Sequence, residues 1–448
     1  MQPLLDSAHR RASRYLASLP DRSVAPTPGA LEALKRFDRD LPEGPTDPLQ
    51  VLAELDEAGS PATVATAGGR YFGFVTGGSL PATTAAAWLS AAWDQNVAMT
   101  VLSPVGARLE EVSLRWAVEL LGLPPGTGAG FVTGATMANL TALAAARHAL
   151  LGGQGWDVES KGLFGAPELK VVVSDEVHST VLKALSILGM GKDRMVRVPT
   201  DGQGRLIPAG LPAMDSRTLV CLQAGNVNTG AFDPIAEVCE RARGSGAWVH
   251  IDGAFGLWAA ACPSRRSLVH GAERAHSWAV DCHKWLNTPY DAALALVSDP
   301  NALRSAMTIN ASYLAMGATR EPSQYVPELS RRARGVEIWA AIRSLGRSGI
   351  AELIERTCRH AARFAEGLRS AGHTVHNEVV INQVLVSFGS AERTLRVIEA
   401  IQSDGTLWCG GSVWHGNTVM RISVSSWATT EADVERCLGA IIRIAGRP

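Results

Sequence analysis

The sequence predicts an α/β protein: a large domain on a mostly parallel sheet, with a smaller α+β domain after it. Two patterns carry that reading. Between about residues 130 and 300, short apolar runs alternate with helical segments, the sign of a parallel sheet covered by helices. Beyond Tyr313 a long helical region opens at Ser330-Arg331-Arg332, reaches about Ser370 with a break near 346–349, and gives way to alternating strands at 379–388 and 418–424. A chain of 448 residues is long enough for two cores. The expected division is a helical arm over 1–75, a large domain over 76–315 and a small C-terminal domain over 316–448.

Residues 1–60 read as two or three amphipathic helices, ended by Pro26-Thr27-Pro28-Gly29 and Pro42-Glu43-Gly44-Pro45. The aromatic, glycine-rich stretch Arg70-Tyr71-Phe72-Gly73-Phe74-Val75 suits either a wall that a ligand approaches or a buried turn. From Ser103-Pro104 a helix runs through Glu110 and Trp116 to Leu121, where Gly122 and Pro124-Pro125 stop it. The apolar runs of the large domain fall at 130–132, 169–173, 195–198, 219–222, 248–251 and 292–297.

The 42 basic and 43 acidic residues leave a formal charge of -1 with no long block of either sign, which argues against nucleic acid or an anionic membrane as partner. A small molecule is the expected ligand. Seven scattered cysteines with no C-x-x-C pair fit a reducing compartment and speak against a structural metal. The apolar stretch 85–98 is interrupted by Ser90, Asp94, Gln95 and Asn96 and is too short to span a bilayer. Residues 1–20 carry Asp6, His9, Arg10, Arg11 and Arg14 and lack the apolar centre of a signal peptide. A cytoplasmic location is expected.

Four places carry candidate chemistry. In Val280-Asp281-Cys282-His283-Lys284-Trp285-Leu286 a lysine stands where an apolar strand stops. Apolar neighbours predict a desolvated amine with a lowered pKa, the form that condenses with aldehydes, though a surface lysine after a strand shows the same pattern. The run Phe131-Val132-Thr133-Gly134-Ala135-Thr136-Met137 is a strand, a small-residue turn and a helix start. Its backbone N–H groups and the Thr136 hydroxyl suit a phosphate, and a turn capped by threonine reads alike. Neither dinucleotide nor Walker spacing is present.

At Ser174-Asp175-Glu176-Val177-His178 a strand delivers His178 to its carboxyl end, where ligands of such sheets bind. That histidine suits a helix-start hydrogen bond or stacking on a flat ring, with metal ligation ranked last for want of ligand spacing. In Trp248-Val249-His250-Ile251-Asp252-Gly253-Ala254, Asp252 follows an apolar strand and needs a cationic partner. A protonated pyridine nitrogen, an arginine or a helix start would serve.

Together, Thr136, His178, Asp252 and Lys284 are the groups a pyridoxal 5′-phosphate site requires, and they fall at successive strand ends. Over roughly residues 65–445 the chain resembles the group II pyridoxal-phosphate-dependent amino-acid decarboxylases, which include aromatic-amino-acid, histidine, glutamate and diaminobutyrate decarboxylases. The resemblance extends to Ser103-Pro104 with Glu110, to Ala144-Ala145-Ala146-Arg147, to Lys183-Ala184, and to Ser330-Arg331-Arg332 with Trp339. Ala135, Met137 and Gly253 depart from it, standing where many members have glycine, glutamate and alanine.

The resemblance implies the fold-type I, aspartate-aminotransferase-like architecture and a homodimer with shared active sites. It gives Lys284 the Schiff base, Asp252 the pyridine nitrogen, His178 one ring face, Ala254 the other, and Ala135, Thr136 and His283 the phosphate. A mobile loop over 312–328 would bring a tyrosine as proton donor, Tyr325 in preference to Tyr313, and Arg421 matches a carboxylate-holding position of aminotransferases. The implied reaction is decarboxylation of an L-amino acid to amine and carbon dioxide. Tyr71, Phe72, Phe74 and Trp93 favour an aromatic or apolar side chain. An aldol-type lyase or an oxidative aldehyde synthase on the same scaffold is the alternative, ahead of an inactive cofactor-binding dimer.

Overall fold

The structure is a computed structural model that describes residues 1–308 and 320–447. The chain divides into two compact units, one formed by 79–359 with 377–383 and the other by 1–78, 360–376 and the residues from 384 on.

The larger unit holds a seven-stranded sheet of β1 (Gly128–Val132), β2 (Lys170–Ser174), β3 (Val196–Val198), β4 (Thr218–Gln223), β5 (Trp248–Asp252), β6 (Ser277–Asp281) and β7 (Ala293–Val297). Their spatial order is β1-β7-β6-β5-β4-β2-β3. Neighbours from β6 to β3 pair in parallel, while β7 runs antiparallel to both β1 and β6. Every residue of β1, β4, β5, β6 and β7 is buried, which explains why these strands read as unbroken apolar runs rather than alternating ones. The helix Ala135–Gly152 supplies Ala142, Leu143, Ala146 and Leu150 to a core shared with Val171, Leu185 and Leu219. This is the mostly parallel α/β architecture expected of the large domain.

A buried ion pair fastens β1. The helix Pro104–Leu120, capped by the Ser103 hydroxyl, presents Glu110, and both its carboxylate oxygens accept from Arg331 Nη2 at 2.8 and 2.6 Å. Arg331 also donates to the carbonyls of Val97 and Phe131, so the pair pins the strand that leads into the turn at Gly134. Gly335 lets the two segments approach: a Cβ there would lie 2.9 Å from the Glu110 Cα. Truncating Glu110 to alanine leaves a buried guanidinium uncompensated and should destabilise the fold by about 3–5 kcal/mol. Thermal melting should register this.

The smaller unit carries a four-stranded sheet of β8 (Thr374–Val375), β9 (Gln383–Ser387), β10 (Gly410–Trp414) and β11 (Asn417–Ser423), in the order β10-β11-β9-β8. The break expected near 346–349 occurs within the helix Gly335–Ser370 at Gly346, whose φ of +61° a residue with a side chain rarely adopts.

The two compact units group the chain differently from the expected division: residues 1–78 fall together with the C-terminal strands, and the larger unit runs on to 359. The first segment is tied to the turn before β10: Val24 N–H donates to the Gly405 carbonyl, and buried Arg70 donates to the carbonyls of Pro20, Arg22 and Thr406. The helices themselves leave Leu5, Leu16, Leu31, Leu49 and Val51 exposed, and these bonds come from the connecting stretch 20–24 and from Arg70. Of the two readings of the aromatic stretch, the buried turn holds at Tyr71 and Phe72. Phe72 is fully buried edge-on against Phe364, and Tyr71 stacks on Trp408, whereas Phe74 is exposed. Arg421 lies in β11, where burial pushes its guanidinium pKa down.

Candidate active site

The carboxyl ends of β1, β6, β5, β4 and β2 are neighbours along one edge of the sheet, once antiparallel β7 is passed over. Each delivers a side chain or turn to one cavity: Ala135 after β1, Lys284 after β6, Asp252 and Ala254 at and after β5, Gln223 and Gly225 at and after β4, and His178 after β2. Five of the residues singled out in the sequence thus converge. Thr136 and His283 flank the same turn, the first as the second residue of the helix Ala135–Gly152 and the second against Gly134.

Asp252 is buried and held from both sides. Its Oδ1 accepts from the Ala254 N–H at 3.2 Å, and its Oδ2 accepts from Asn139 Nδ2 at 3.2 Å with the Thr180 hydroxyl 3.4 Å away. The bond to Asn139 fixes that amide, so Asn139 Oδ1 must accept from His250 Nε2 at 2.9 Å. His250 Nδ1 then accepts from the Ser277 hydroxyl, which in turn accepts from Trp248 Nε1, each at 2.9 Å. All four hydrogen bonds point the same way and end on the carboxylate. A network with every member satisfied is stiff. The adjacent Thr180 also supports His178, donating its backbone N–H to His178 Nδ1 at 3.3 Å, which sets the ring at the start of the helix Ser179–Ile187.

Burial pushes the His250 pKa down to about 3, so the ring is neutral in the fold. Its ordinary value is 6.5, and a depressed basic group contributes stability that is present above 6.5 and is lost as pH falls toward 3. Between pH 7 and 5 the wild type should therefore lose about 2 kcal/mol more stability than His250→Gln, by urea unfolding. Equal losses would mean that His250 does not titrate on unfolding.

Lys284 departs from expectation. Burial alone would lower its ammonium pKa, but the charge and hydrogen bond of Asp281, with smaller help from Asp252 and Tyr290, outweigh it and raise the value. Nζ lies 2.8 Å from Asp281 Oδ2. The apolar neighbours that suggested a lowered pKa are turned away: Trp285 is buried with Nε1 donating to Thr357, and Leu286 is buried too. Lys284 is thus a stored ammonium that must release a proton before it attacks an aldehyde. The turn that carries it is fixed by the Asn287 amide, which donates to the carbonyls of Lys284 and Trp285. His283 Nδ1 accepts from the Ala292 N–H at 3.2 Å, leaving Nε2 as the donor, and burial holds its pKa down.

The helix Ala135–Gly152 begins at Gly134, and the N–H groups of its first turn have no partner within the helix. With the His283 Nε2–H beside them they form an anion cradle. A flat heteroaromatic aldehyde bearing a phosphate would find N–H donors at the cradle, a carboxylate at Asp252, an amine at Lys284 and an imidazole at His178.

Tyr325 is not brought to this cavity. It ends the turn Pro322–Tyr325, lies 4.4 Å beneath the Arg320 guanidinium and packs against the core that includes Leu150 and Leu303. Val326 anchors the turn against Gly130 of β1. Tyr313 lies outside the described residues. Among the described residues no group of three or more His, Cys, Asp or Glu could hold a metal.

Residues 28–389 match the pyridoxal-dependent decarboxylase conserved domain. The chain belongs to this family. Tryptophan decarboxylase 1 of Oryza sativa subsp. japonica is 28% identical over 463 residues, 92% of this chain and 87% of that protein. Phenylacetaldehyde synthase of Arabidopsis thaliana is 28% identical over 368 residues, 75% of this chain and 73% of that protein. The crystal structure of Oryza sativa TDC with PLP and tryptamine superposes with a TM-score of 0.91 at 24% identity, over 99% of this chain and 97% of that one, a likeness of fold. This decarboxylase is therefore a fold-type I, pyridoxal-phosphate-dependent carboxy-lyase of amino acids.

Proposed function

We propose that this decarboxylase converts an L-amino acid with an aromatic or apolar side chain to its amine and carbon dioxide, with Lys284, Asp252 and His178 as the groups that touch the cofactor. The observation that carries the assignment of roles is the convergence of one lysine amine, one buried carboxylate and one imidazole on a single cavity beside a helix N-terminus. When bound, pyridoxal 5′-phosphate supplies an electron-poor ring that accepts the electron pair left as carbon dioxide departs. Asp252, oriented by Asn139 and Thr180, keeps a proton on the ring nitrogen. His178 and Ala254 are the residues that would flank the ring when it is bound. Asp281 Oδ2 holds Lys284 Nζ at 2.8 Å as a stored ammonium, which must give up its proton before the amine can act as a nucleophile.

The side-chain preference draws on the similarity to a tryptophan decarboxylase. A second reading, oxidative conversion to an aldehyde, draws on the similarity to a phenylacetaldehyde synthase. A panel of L-amino acids scored for amine, aldehyde, carbon dioxide and oxygen uptake separates the two. Amine and carbon dioxide in equal amounts without oxygen uptake is the expected result, and aldehyde formed with oxygen uptake would overturn it.

We also propose a homodimer in the cytoplasm. In the larger unit Trp88, Leu89, Trp93, Val101, Leu102 and Val105 are exposed, an apolar concentration that a second copy would cover. All seven cysteines are free thiols, in keeping with a reducing compartment. Light scattering should give twice the chain mass.

A further inference from the structure

Asp281 has a buried oxygen with nothing to bond. Its side chain is 2% exposed; Oδ2 takes Lys284 Nζ at 2.8 Å, while Oδ1 has no hydrogen-bond partner. His283 Nε2 stands 3.6 Å from Oδ1, beyond hydrogen-bond reach. Oδ1 is aimed into the cradle at the start of the helix Ala135–Gly152: a Cβ on Gly134 would sit 3.9 Å from it and 3.5 Å from His283 Cε1. An anion settling there meets N–H donors on one side and, on the other, an acceptor that carries negative charge.

A fully ionised phosphate ester offers that acceptor only more acceptors, and two adjacent anions resist full ionisation. A phosphate that keeps one proton resolves both difficulties, because its P–O–H donates to Oδ1. We propose that Asp281 is a specificity-determining residue of the anion cradle, accepting a hydrogen bond from a phosphate that retains one proton and disfavouring anions that have none. The proposal rests on reading the turn at 134–137 as the phosphate subsite.

The charged and titratable groups around Asp281 do not supply the missing donor. Lys284 is already on Oδ2, and His283 is kept neutral by burial. Cys282 is pushed well up by burial and by Asp281 itself, and so stays a thiol. The Tyr290 ring lies tilted against His283 with 4.3 Å between ring centres, Asp291 adds negative charge near His283, and Asp252 adds negative charge near Lys284. The facing helix start, Gly134-Ala135-Thr136-Met137, has no ionisable side chain.

The test uses the full chain freed of cofactor and three probes by titration calorimetry: inorganic phosphate, sulfate and pyridoxine 5′-phosphate, which lacks the aldehyde. At pH 8 inorganic phosphate and sulfate are both dianions, and only phosphate has a proton to give. The wild type should bind phosphate at least about tenfold more tightly than sulfate, the cost of an unpaired buried acceptor. Pyridoxine 5′-phosphate should weaken about tenfold per pH unit above its second ionisation near ~6. Asp281→Asn offers an amide donor in place of an acceptor, and should lose both the preference and the pH dependence. Sulfate binding within twofold of phosphate in the wild type, or a preference that survives in D281N, would overturn the proposal. The wild-type ratio decides the matter even where D281N does not fold. Binding of pyridoxine 5′-phosphate with neither simple anion bound would instead overturn the phosphate placement on which the proposal rests.

Discussion

Asp252→Asn should retain bound cofactor yet lose turnover by about three orders of magnitude, the scale of removing a preorganised electrostatic contact from a reacting centre. The substitution is nearly isosteric. The Ala254 N–H and the Asn139 amide bond different oxygens of the carboxylate, so the new amide keeps one of these two bonds, while the charge that holds a proton on the ring nitrogen is gone. Steady-state kinetics together with the visible spectrum of the purified variant separate binding from chemistry. A variant with near-normal turnover would make Asp252 a structural carboxylate at the end of the network from Trp248.

Lys284→Ala should be more damaging. It removes the amine that meets both cofactor and substrate within the cavity, and the loss of a positioned group of this kind is worth about 10⁴-fold or more in kcat/KM. It also strips Asp281 Oδ2 of the cation at 2.8 Å, leaving a buried carboxylate whose other oxygen is unpaired already. The variant should therefore lose thermal stability when free of cofactor, an effect Lys284→Arg should largely spare while remaining inactive. Activity in Lys284→Ala within tenfold of wild type would exclude the lysine as the reacting amine.

The strands that build the site were legible because each is buried on both faces and so reads as an apolar run closed by polar residues. Asp252, His178 and Lys284 were found at those closures. What could not be read was how distant elements meet. Asn139 and His250 are 111 residues apart and join in one hydrogen bond, and Glu110 and Arg331 are 221 apart. Both pairs lie inside recognisable motifs, yet nothing local says that they touch. The direction of the Lys284 shift failed for a related reason: Trp285 and Leu286 are its neighbours in sequence but point into the core, whereas Asp281, one helical turn's spacing earlier, is its neighbour in space. The contacts of the first 75 residues with Gly405, Thr406 and Trp408 were equally hidden, because those partners are more than 300 residues downstream.

The measurement that tests the assignment of the site most directly is borohydride reduction of the purified, cofactor-loaded protein, followed by proteolysis and mass mapping. The reduced cofactor should be fixed to the peptide that contains Lys284, on Nζ, in close to one equivalent per chain, with the visible absorbance near ~420 nm lost in step. Label on another lysine, or no label on a protein that turns over its substrate, would contradict it.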